Sequence, residues 1–397
     1  MKKNQRQIKD QQNSSQRYIQ LSPEVLPIIR KLSGPIDRFV AIDEIAKQLN
    51  LPESSVAAML DQLAKAHVLL EDNKEYKHQT AFYSSGYCDL LNHRGMLQDQ
   101  VRTSLFQQAI KELVSSKHTV IDVGAGSGIL SFFSATAGAK KVHAIECTQI
   151  IKEAEVIAIR NNLHEKIDFF HGDANAFRMR SKADIIISEW IGYFVMEEYM
   201  YQAFQVVRDR YLRQGGKVIP SKVRMYLAPV EDADLYQFSG LGFWESPVYG
   251  YDFSFGKKRQ LASPRSVLAN ITSAACIAEP WKILTVDCLK DKASIFHFEQ
   301  SGEVNVERNA NLHGFVGFFE LDLSPSVILS TSPFSLRTHW QQVYFPIEQC
   351  YVQKDDRIRM TMITRPGKIG PSIQLKVSIF RGRKKIHQCE YCYNQSK

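Results

Sequence analysis

Thr119-Val120-Ile121-Asp122-Val123-Gly124-Ala125-Gly126-Ser127-Gly128 decides the fold of this chain. The first five residues, four of them β-branched, predict a buried strand. Glycines 124, 126 and 128 predict a sharp turn at its carboxyl end, where backbone can come close to a ligand. Ile129-Leu130-Ser131 then opens a helix, so amides at a helix N-terminus lie near the loop. Nucleotide-binding and methyltransferase folds both use such a loop.

Outward from it, the same grammar repeats. Val142 to Glu146, Ile167 to Phe170 (ending before His171) and Asp184 to Ile187 read as further strands between helical stretches. Continuous apolar strands alternating with helices predict a mostly parallel sheet covered on both faces. The fold class is α/β: a Rossmann-like domain. Residues 82–117 before it read as mainly helical. After Pro220 the pattern changes to alternation in Lys222 to Ala228, Phe315 to Leu323, Val343 to Ile347 and Ile373 to Phe380. A β-barrel or sandwich is expected there.

The expected divisions are a mobile Gln-rich tail over 1–20, a helical unit over 21–78, the Rossmann-like domain over 79–220 and the β domain over 221–397. In the helical unit, Val25 to Leu32 and Val56 to Ala64 carry apolar stripes, and Val68-Leu69-Leu70 starts a possible wing, in the manner of a winged helix. DNA recognition needs positive charge. Leu21 to Glu75 holds nine acidic and six basic residues, which favours a packing or substrate-capping role.

Composition excludes several classes. The chain has 397 residues, 44% hydrophobic and 23% charged, enough for two or three domains with real cores. No stretch approaches the ~20 apolar residues of a membrane span, and no apolar run follows the basic start, so a secretory leader is not expected. A cytoplasmic or nuclear location is the expectation. The net charge of +8 is moderate, with basic residues gathered at the ends (Lys2, Lys3, Arg6 and Lys9; Arg381, Arg383, Lys384 and Lys385). That pattern suits solubilising tails better than nucleic-acid binding. Seven cysteines point to a reducing compartment rather than a disulfide scaffold. Cys389 and Cys392 form a CxxC without a matching second pair, and no metal site is expected.

Two acids sharpen the loop. Asp122 stands just before the glycines, and Glu146 ends the next strand, where it can accept hydrogen bonds from ribose hydroxyls. NAD and S-adenosylmethionine both present a ribose. The last glycine of GxGxxG is missing, because Ile129 occupies its place, and S-adenosylmethionine is preferred.

A second constellation starts where the fourth strand ends: Ser188-Glu189-Trp190-Ile191-Gly192-Tyr193-Phe194-Val195-Met196-Glu197-Glu198-Tyr199-Met200. Ligands of open α/β sheets bind at this edge. Glu189 and Glu198 flank an apolar loop; brought together, they need a cation between them. A guanidinium fits, since its planar fork of donors suits two carboxylates. The pair would localise positive charge away from one terminal nitrogen and turn that nitrogen toward a methyl donor. A metal pair lacks nearby histidines at ligand spacing, and glycoside acid–base chemistry leaves the glycine loop unexplained.

At this point the chain resembles the protein arginine N-methyltransferases. Asp122 to Gly128, Glu146 and especially Ser188 to Met200, with its two glutamates, are similar to that family's motifs. So are Met96-Leu97-Gln98-Asp99-Gln100-Val101-Arg102-Thr103, Trp244 with Val248-Tyr249-Gly250-Tyr251-Asp252, and Thr331-Ser332-Pro333 leading to Thr338-His339-Trp340. The resemblance covers roughly residues 82 to 385. It implies a Rossmann-like S-adenosylmethionine domain, a β-barrel substrate domain, and a helical arm near 230–255 that forms a head-to-tail homodimer.

Residue by residue, the resemblance implies that Arg102 pairs with the cofactor's methionyl carboxylate. Asp122, Gly124 and Gly126 shape the loop, and Glu146 holds the ribose. Met96 also lies by the cofactor, and Glu189 and Glu198 clamp the target guanidinium. Asp99 and His339 form a catalytic pair. Tyr87, Met200 and Trp340 orient substrate. His339 within Thr-His-Trp resembles the branch that gives asymmetric dimethylarginine. Two departures stand out. Tyr83-Ser84-Ser85-Gly86-Tyr87 has serine where an aromatic is common, and the acid usual near adenine is either moved to Asp173 or replaced by Asn175.

The expected substrate is an accessible arginine in a protein or peptide. Free arginine or another small guanidino compound is the alternative, with the helical unit as a cap. A non-catalytic dimeric scaffold and a transcription regulator are the remaining readings.

Overall fold

A computed structural model describes residues 88–196, 200–366 and 371–393. All lie in the second of two units of the chain, residues 82–397. The expected tail and helical unit, together with Tyr87 and Glu198, lie outside the described residues.

Two helices open the described chain: α1 (Leu90–Gln98) and α2 (Gln100–Leu113). Asp99 ends the first and caps the second, its carboxylate accepting from the Arg102 amide at 2.9 Å. Along α2, Arg102, Phe106, Ala109, Ile110 and Leu113 are buried, the stripe of a helix laid on a core. Arg102 is the charged member of that stripe.

The Rossmann-like sheet contains β1 (Thr119–Val123), β2 (Lys141–Glu146), β3 (Ile167–His171), β4 (Ala183–Ile187) and β5 (Leu212–Ile219). Helices α3 (Ile129–Thr136), α4 (Ile151–Arg160) and α5 (Tyr201–Tyr211) connect them. Strand order is β3-β2-β1-β4-β5, with all neighbours parallel. The order reverses between β1 and β4, and a crevice opens there at the carboxyl edge. Ile185, Ile186 and Ile187 of β4 are buried, as a strand covered on both faces requires. Two differences from the sequence reading are local. His171 is still paired within β3. β5 is an unforeseen strand, and Gly215 and Gly216 lie where its register with β4 shifts.

From β6 (Lys222–Val230) onward the structure is antiparallel. Between β6 and β7 (Val267–Ala269) lie the short helices α6 (Ala233–Ser239) and α7 (Phe255–Ala262), with a 3-10 turn over Gly242–Glu245. The helical excursion thus runs past the expected limit of 255. There follow β8 (Trp281–Asp287), β9 (Glu299–Asn305), β10 (Ala310–Asp322), β11 (Ile328–Ser330), β12 (Gln342–Val352), β13 (Arg357–Arg365), β14 (Ser372–Arg381) and β15 (Lys384–Tyr393). They form one sheet ordered β7-β12-β10-β6-β8, with β11 beside β10, and a second ordered β15-β14-β13-β9.

β10 is apolar on both faces for a reason. Phe315, Phe319 and Leu321 join the main core, which also includes the Rossmann-like strands. Val316 and Phe318 fill a second core with Ala228, Val230 and Tyr344. The β domain is therefore built onto the parallel sheet through continuous apolar packing. Glu112 near the end of α2 also accepts from the hydroxyls of Ser324 and Ser326. The β11–β12 loop meets the first half of the chain through His339 on Asp99 and Trp340 on Ile191.

Candidate active site

The glycine loop follows β1. Gly124 and Gly126 have φ of +72° and +54°, a left-handed backbone that side chains resist. A Cβ on Gly126 would lie 2.7 Å from His93 Cε1, and one on Gly124 would lie 2.3 Å from the Met200 methyl. Gly126 therefore needs glycine for conformation and for space, and Gly124 for conformation, since the tip of Met200 can move aside. His93, buried on α1, was not foreseen as a site residue. Its only sequence signal was a position three residues before Met96.

Glu146 ends β2 beside this loop. Its carboxylate accepts from the Gly126 amide at 2.9 Å and the Thr148 amide at 2.8 Å. Each oxygen keeps a further lone pair, which is what a ribose diol requires. Asp122 is buried beneath the loop and accepts from the Ser131 hydroxyl at 2.7 Å, while its second oxygen has no partner among the described residues. Burial pushes its carboxyl up to about 7, against the Ser131 bond and helped by the nearby Glu146 charge. Asp122 ties β1 to α3 and faces the core rather than open space. Asp173 and Asn175, on the loop after β3, are exposed and bonded to each other, Asn175 Nδ2 to Asp173 Oδ1 at 2.9 Å.

At the end of β4, Ser188 donates its hydroxyl to Val123 O at 2.6 Å and joins the two strands at the crevice. Glu189 follows. Its Oε1 accepts from the Ile191 amide at 2.9 Å, and its Oε2 accepts from Arg102 Nη2 at 2.6 Å. The guanidinium of Arg102 lies 5.9 Å from the Phe106 ring and 5.7 Å from that of Trp340. Its Nε is buried without a hydrogen-bond partner among the described residues. Beyond Glu189 the chain turns tightly through Gly192, with Phe194 packed flat enough on Gly317 that no Cβ fits there. Val195 sits at φ +73°, a conformation a β-branched residue adopts only under constraint.

The β11–β12 loop supplies the other wall. His339 donates its backbone N–H to Asp99 Oδ2 at 2.7 Å, and its Nδ1 is 2.8 Å from the same oxygen. Burial would raise the Asp99 carboxyl, but the His339 ring, the Arg102 amide and the His339 amide together hold it below its ordinary value. An ionised carboxylate only accepts, so Nδ1 carries a hydrogen toward Asp99. Trp340 is buried and donates its indole N–H to Ile191 O at 2.9 Å. It thereby pins the loop that carries Glu189. Met96 is half-buried, and its carbonyl accepts from the Thr103 hydroxyl.

Asp99, Arg102, Glu189, His339 and Trp340 thus form one bonded cluster at the crevice. Asp122, Gly124, Gly126 and Glu146 form the adjoining loop, and Met200 touches Gly124. Asp173 and Asn175 stand apart from that bonded cluster.

Comparison with known proteins agrees with this architecture. Residues 221–379 match the profile described as the arginine methyltransferase oligomerization subdomain, and residues 101–221 match that of the ribosomal protein L11 methyltransferase. Protein arginine N-methyltransferase 1 of Schizosaccharomyces pombe is 36% identical over 293 residues, spanning 72% of this chain and 85% of that protein. This chain belongs to the protein arginine N-methyltransferase family. Among solved structures of that family, the Trypanosoma brucei PRMT1 enzyme–prozyme heterotetramer with AdoHcy superposes with a TM-score of 0.71 at 25% identity. The match covers 78% of this chain and 100% of that one. Arabidopsis thaliana protein arginine methyltransferase 10 superposes at 0.68 with 27% identity, covering 78% and 99%. The arginine methyltransferase fold therefore spans both halves of the described structure. Among the described residues, no helix is long and apolar enough to cross a membrane, and no three His, Cys, Asp or Glu side chains gather as a metal site.

Proposed function

We propose that this protein transfers methyl groups from S-adenosylmethionine to arginine side chains of proteins, giving monomethylarginine and then asymmetric dimethylarginine. The observation that carries the reading is Glu189 at the carboxyl end of β4, already holding a guanidinium, that of Arg102, at 2.6 Å beside the glycine loop. A carboxylate in this place binds the chemical group the reaction needs.

The residues present fit the cofactor. Glu146 keeps acceptor lone pairs for a ribose beside the glycine loop, and Arg102 carries guanidinium donors that suit a carboxylate. When bound, S-adenosylmethionine supplies an electrophilic methyl on sulfur. The chain's own part is to hold and polarise the arginine. Glu189, with Glu198 as its counterpart, draws the guanidinium's positive charge toward itself and leaves one terminal nitrogen richer in electrons. A guanidinium with a pKa above about 12 stays protonated on arrival. Rate therefore comes from orientation and preplaced charge rather than from a strong base. His339, held in place by Asp99, is the side chain offered to take up the proton released at the methylated nitrogen. Trp340 positions the Glu189 loop through Ile191.

Assembly is proposed as a head-to-tail homodimer. The α6–α7 excursion exposes Phe238 (82%), Tyr249 (97%) and Phe255 (71%). The Rossmann-like domain carries a groove lined by Leu97, Ile129, Phe132, Phe133 and Ile157 that can receive such an arm.

The test is Glu198→Gln. Calorimetry should find AdoHcy affinity unchanged, while turnover on an Arg/Gly-rich peptide falls at least about a hundredfold. Wild-type turnover in that variant removes the clamp. Free arginine assayed beside the peptide separates the two substrate classes.

A further inference from the structure

The basic run near the carboxyl end is not a tail. Arg381 closes β14, Lys384 opens β15, and the two pair across the tight turn Gly382-Arg383, in which Gly382 has φ +57°. Arg383, Lys384 and Lys385 are exposed, and none has an acidic partner among the described residues. The turn borders the outer face of the sheet β15-β14-β13-β9. Ile358, Met360, Val377 and Ile379 of β13 and β14 lie in the core, so strand alternation turns Arg357, Arg359 and Phe380 outward. Arg357, Phe380 and Lys385 stand side by side on three neighbouring strands. Phe380 is half-buried, and the guanidiniums of Arg357 and Arg359 lie 5.5 and 5.2 Å from its ring centre.

Charge at this end of the sheet is unbalanced. Glu303 of β9 serves both Arg357 and Arg359 at 3.1 Å, and Asp356 takes Arg381 at 2.8 Å. Lys354 is offset by Asp355 next to it, and Lys376 by Glu390 opposite it. Those three arginines and the three cations of the turn therefore meet two carboxylates, an excess of four that is half of the chain's net +8. We infer that this face binds single-stranded nucleic acid, with phosphates on Arg383, Lys384 and Lys385 and bases against Phe380 and the guanidinium planes beside it. A sheet face that carries an aromatic ring and flat guanidiniums is a stacking platform for unpaired bases, and the adjoining cations track the backbone. An acidic peptide would satisfy the charge and leave the platform unused. No residue of the crevice takes part, so the inference stands apart from the reaction proposed above.

The test uses the full chain and fluorescein-labelled strands of roughly 12 nucleotides, RNA and DNA of one mixed sequence, titrated by anisotropy. At about 0.1 M salt at least one of them should bind with a micromolar Kd, and the tighter of the two identifies the source. Its log affinity should fall with log salt at a slope of about −2 to −3. A duplex of the same length carries more phosphate per unit length, so charge alone favours it; stacking on open bases makes the single strand bind at least about threefold tighter. The triple variant Arg383→Gln, Lys384→Gln, Lys385→Gln should bind at least about tenfold more weakly, with a slope shallower by about 2. Phe380→Leu should weaken binding about fivefold with the slope unchanged, a split that loss of charge does not produce. Both variants should keep wild-type turnover on an arginine peptide, which also shows that they fold. Absence of binding at about 100 μM, preference for the duplex, or equal affinity for a polyglutamate peptide overturns the inference and leaves the proposed function standing.

Discussion

Asp99→Asn is the most informative single substitution, because it keeps shape and removes only the ability to accept on both sides. Asp99 Oδ1 accepts from the Arg102 amide at 2.9 Å, and Oδ2 accepts from the His339 amide at 2.7 Å and faces its Nδ1 at 2.8 Å. An asparagine has one acceptor and one donor end. With its NH2 toward Arg102, the helix cap is lost and two donors face each other. With its NH2 toward His339, the backbone amide there meets a donor. Loss of a cap costs about 1 kcal/mol, and a buried unpaired donor about 1–3 kcal/mol. The variant should therefore be about 2–3 kcal/mol less stable, and Asp99→Ala, which strands all three donors, about 4 kcal/mol less stable. Urea unfolding followed by tryptophan fluorescence measures both. The pH dependence has a definite sign. The Asp99 carboxyl lies below its ordinary value of 3.8 in the folded protein, so the native state binds fewer protons than the unfolded one. Its stabilisation is fully present above about pH 4 and is lost as pH falls through the lower native value. Asp99→Asn should lack that acid-side loss. A destabilisation under about 0.5 kcal/mol, or an unchanged acid profile, would refute the view that an ionised Asp99 holds the His339 wall in place.

Three further outcomes follow from other parts of the site. Gly126→Ala forces a side chain into φ +54° and to 2.7 Å from His93, so AdoHcy affinity by calorimetry should fall at least about tenfold; an unchanged affinity contradicts the role given to the loop. Val195→Gly relieves a β-branched residue at φ +73° but empties a buried core position, so it should destabilise the fold by about 1–2 kcal/mol and lower kcat, since the clamp loop loosens; wild-type stability with full kcat would show that the constraint is not used. Asp122, raised to about 7 by burial, binds a proton in the folded protein that the unfolded chain releases near 3.8. Stability should decline as pH rises from about 4 to 7, by as much as about 4 kcal/mol, and Asp122→Asn should flatten that decline.

Much of this was legible in the sequence for physical reasons. β1 and the glycine loop were visible because burial on both faces demands an apolar run and a left-handed turn demands glycine. β5 was invisible because Gly215 and Gly216 carry turn chemistry while the strand is held by pairing with β4. The paired glutamates announced a cation. The sequence could not show that Glu189 already binds Arg102, 87 positions away, because that contact depends on how α2 crosses the end of β4. Nor could it show Trp340 bonding to Ile191, which depends on the β domain packing against the parallel sheet. His93 escaped notice because a histidine on a weakly amphipathic helix has no distinctive spacing, and only the approach of Gly126 reveals its position. Asp173 and Asn175 were drawn in by alignment to the family alone; in the fold they face solvent and bond to each other.

The central claim is that a protein arginine, held between acidic side chains, receives the methyl group. The most direct measurement is tandem mass spectrometry of an Arg/Gly-rich peptide after incubation with this enzyme and isotopically labelled S-adenosylmethionine. The account predicts one and then two labelled methyl groups on a single arginine, with fragmentation that releases dimethylamine from one terminal nitrogen. Label on lysine or on a carboxylate, or none on arginine while S-adenosylmethionine is bound, would contradict it.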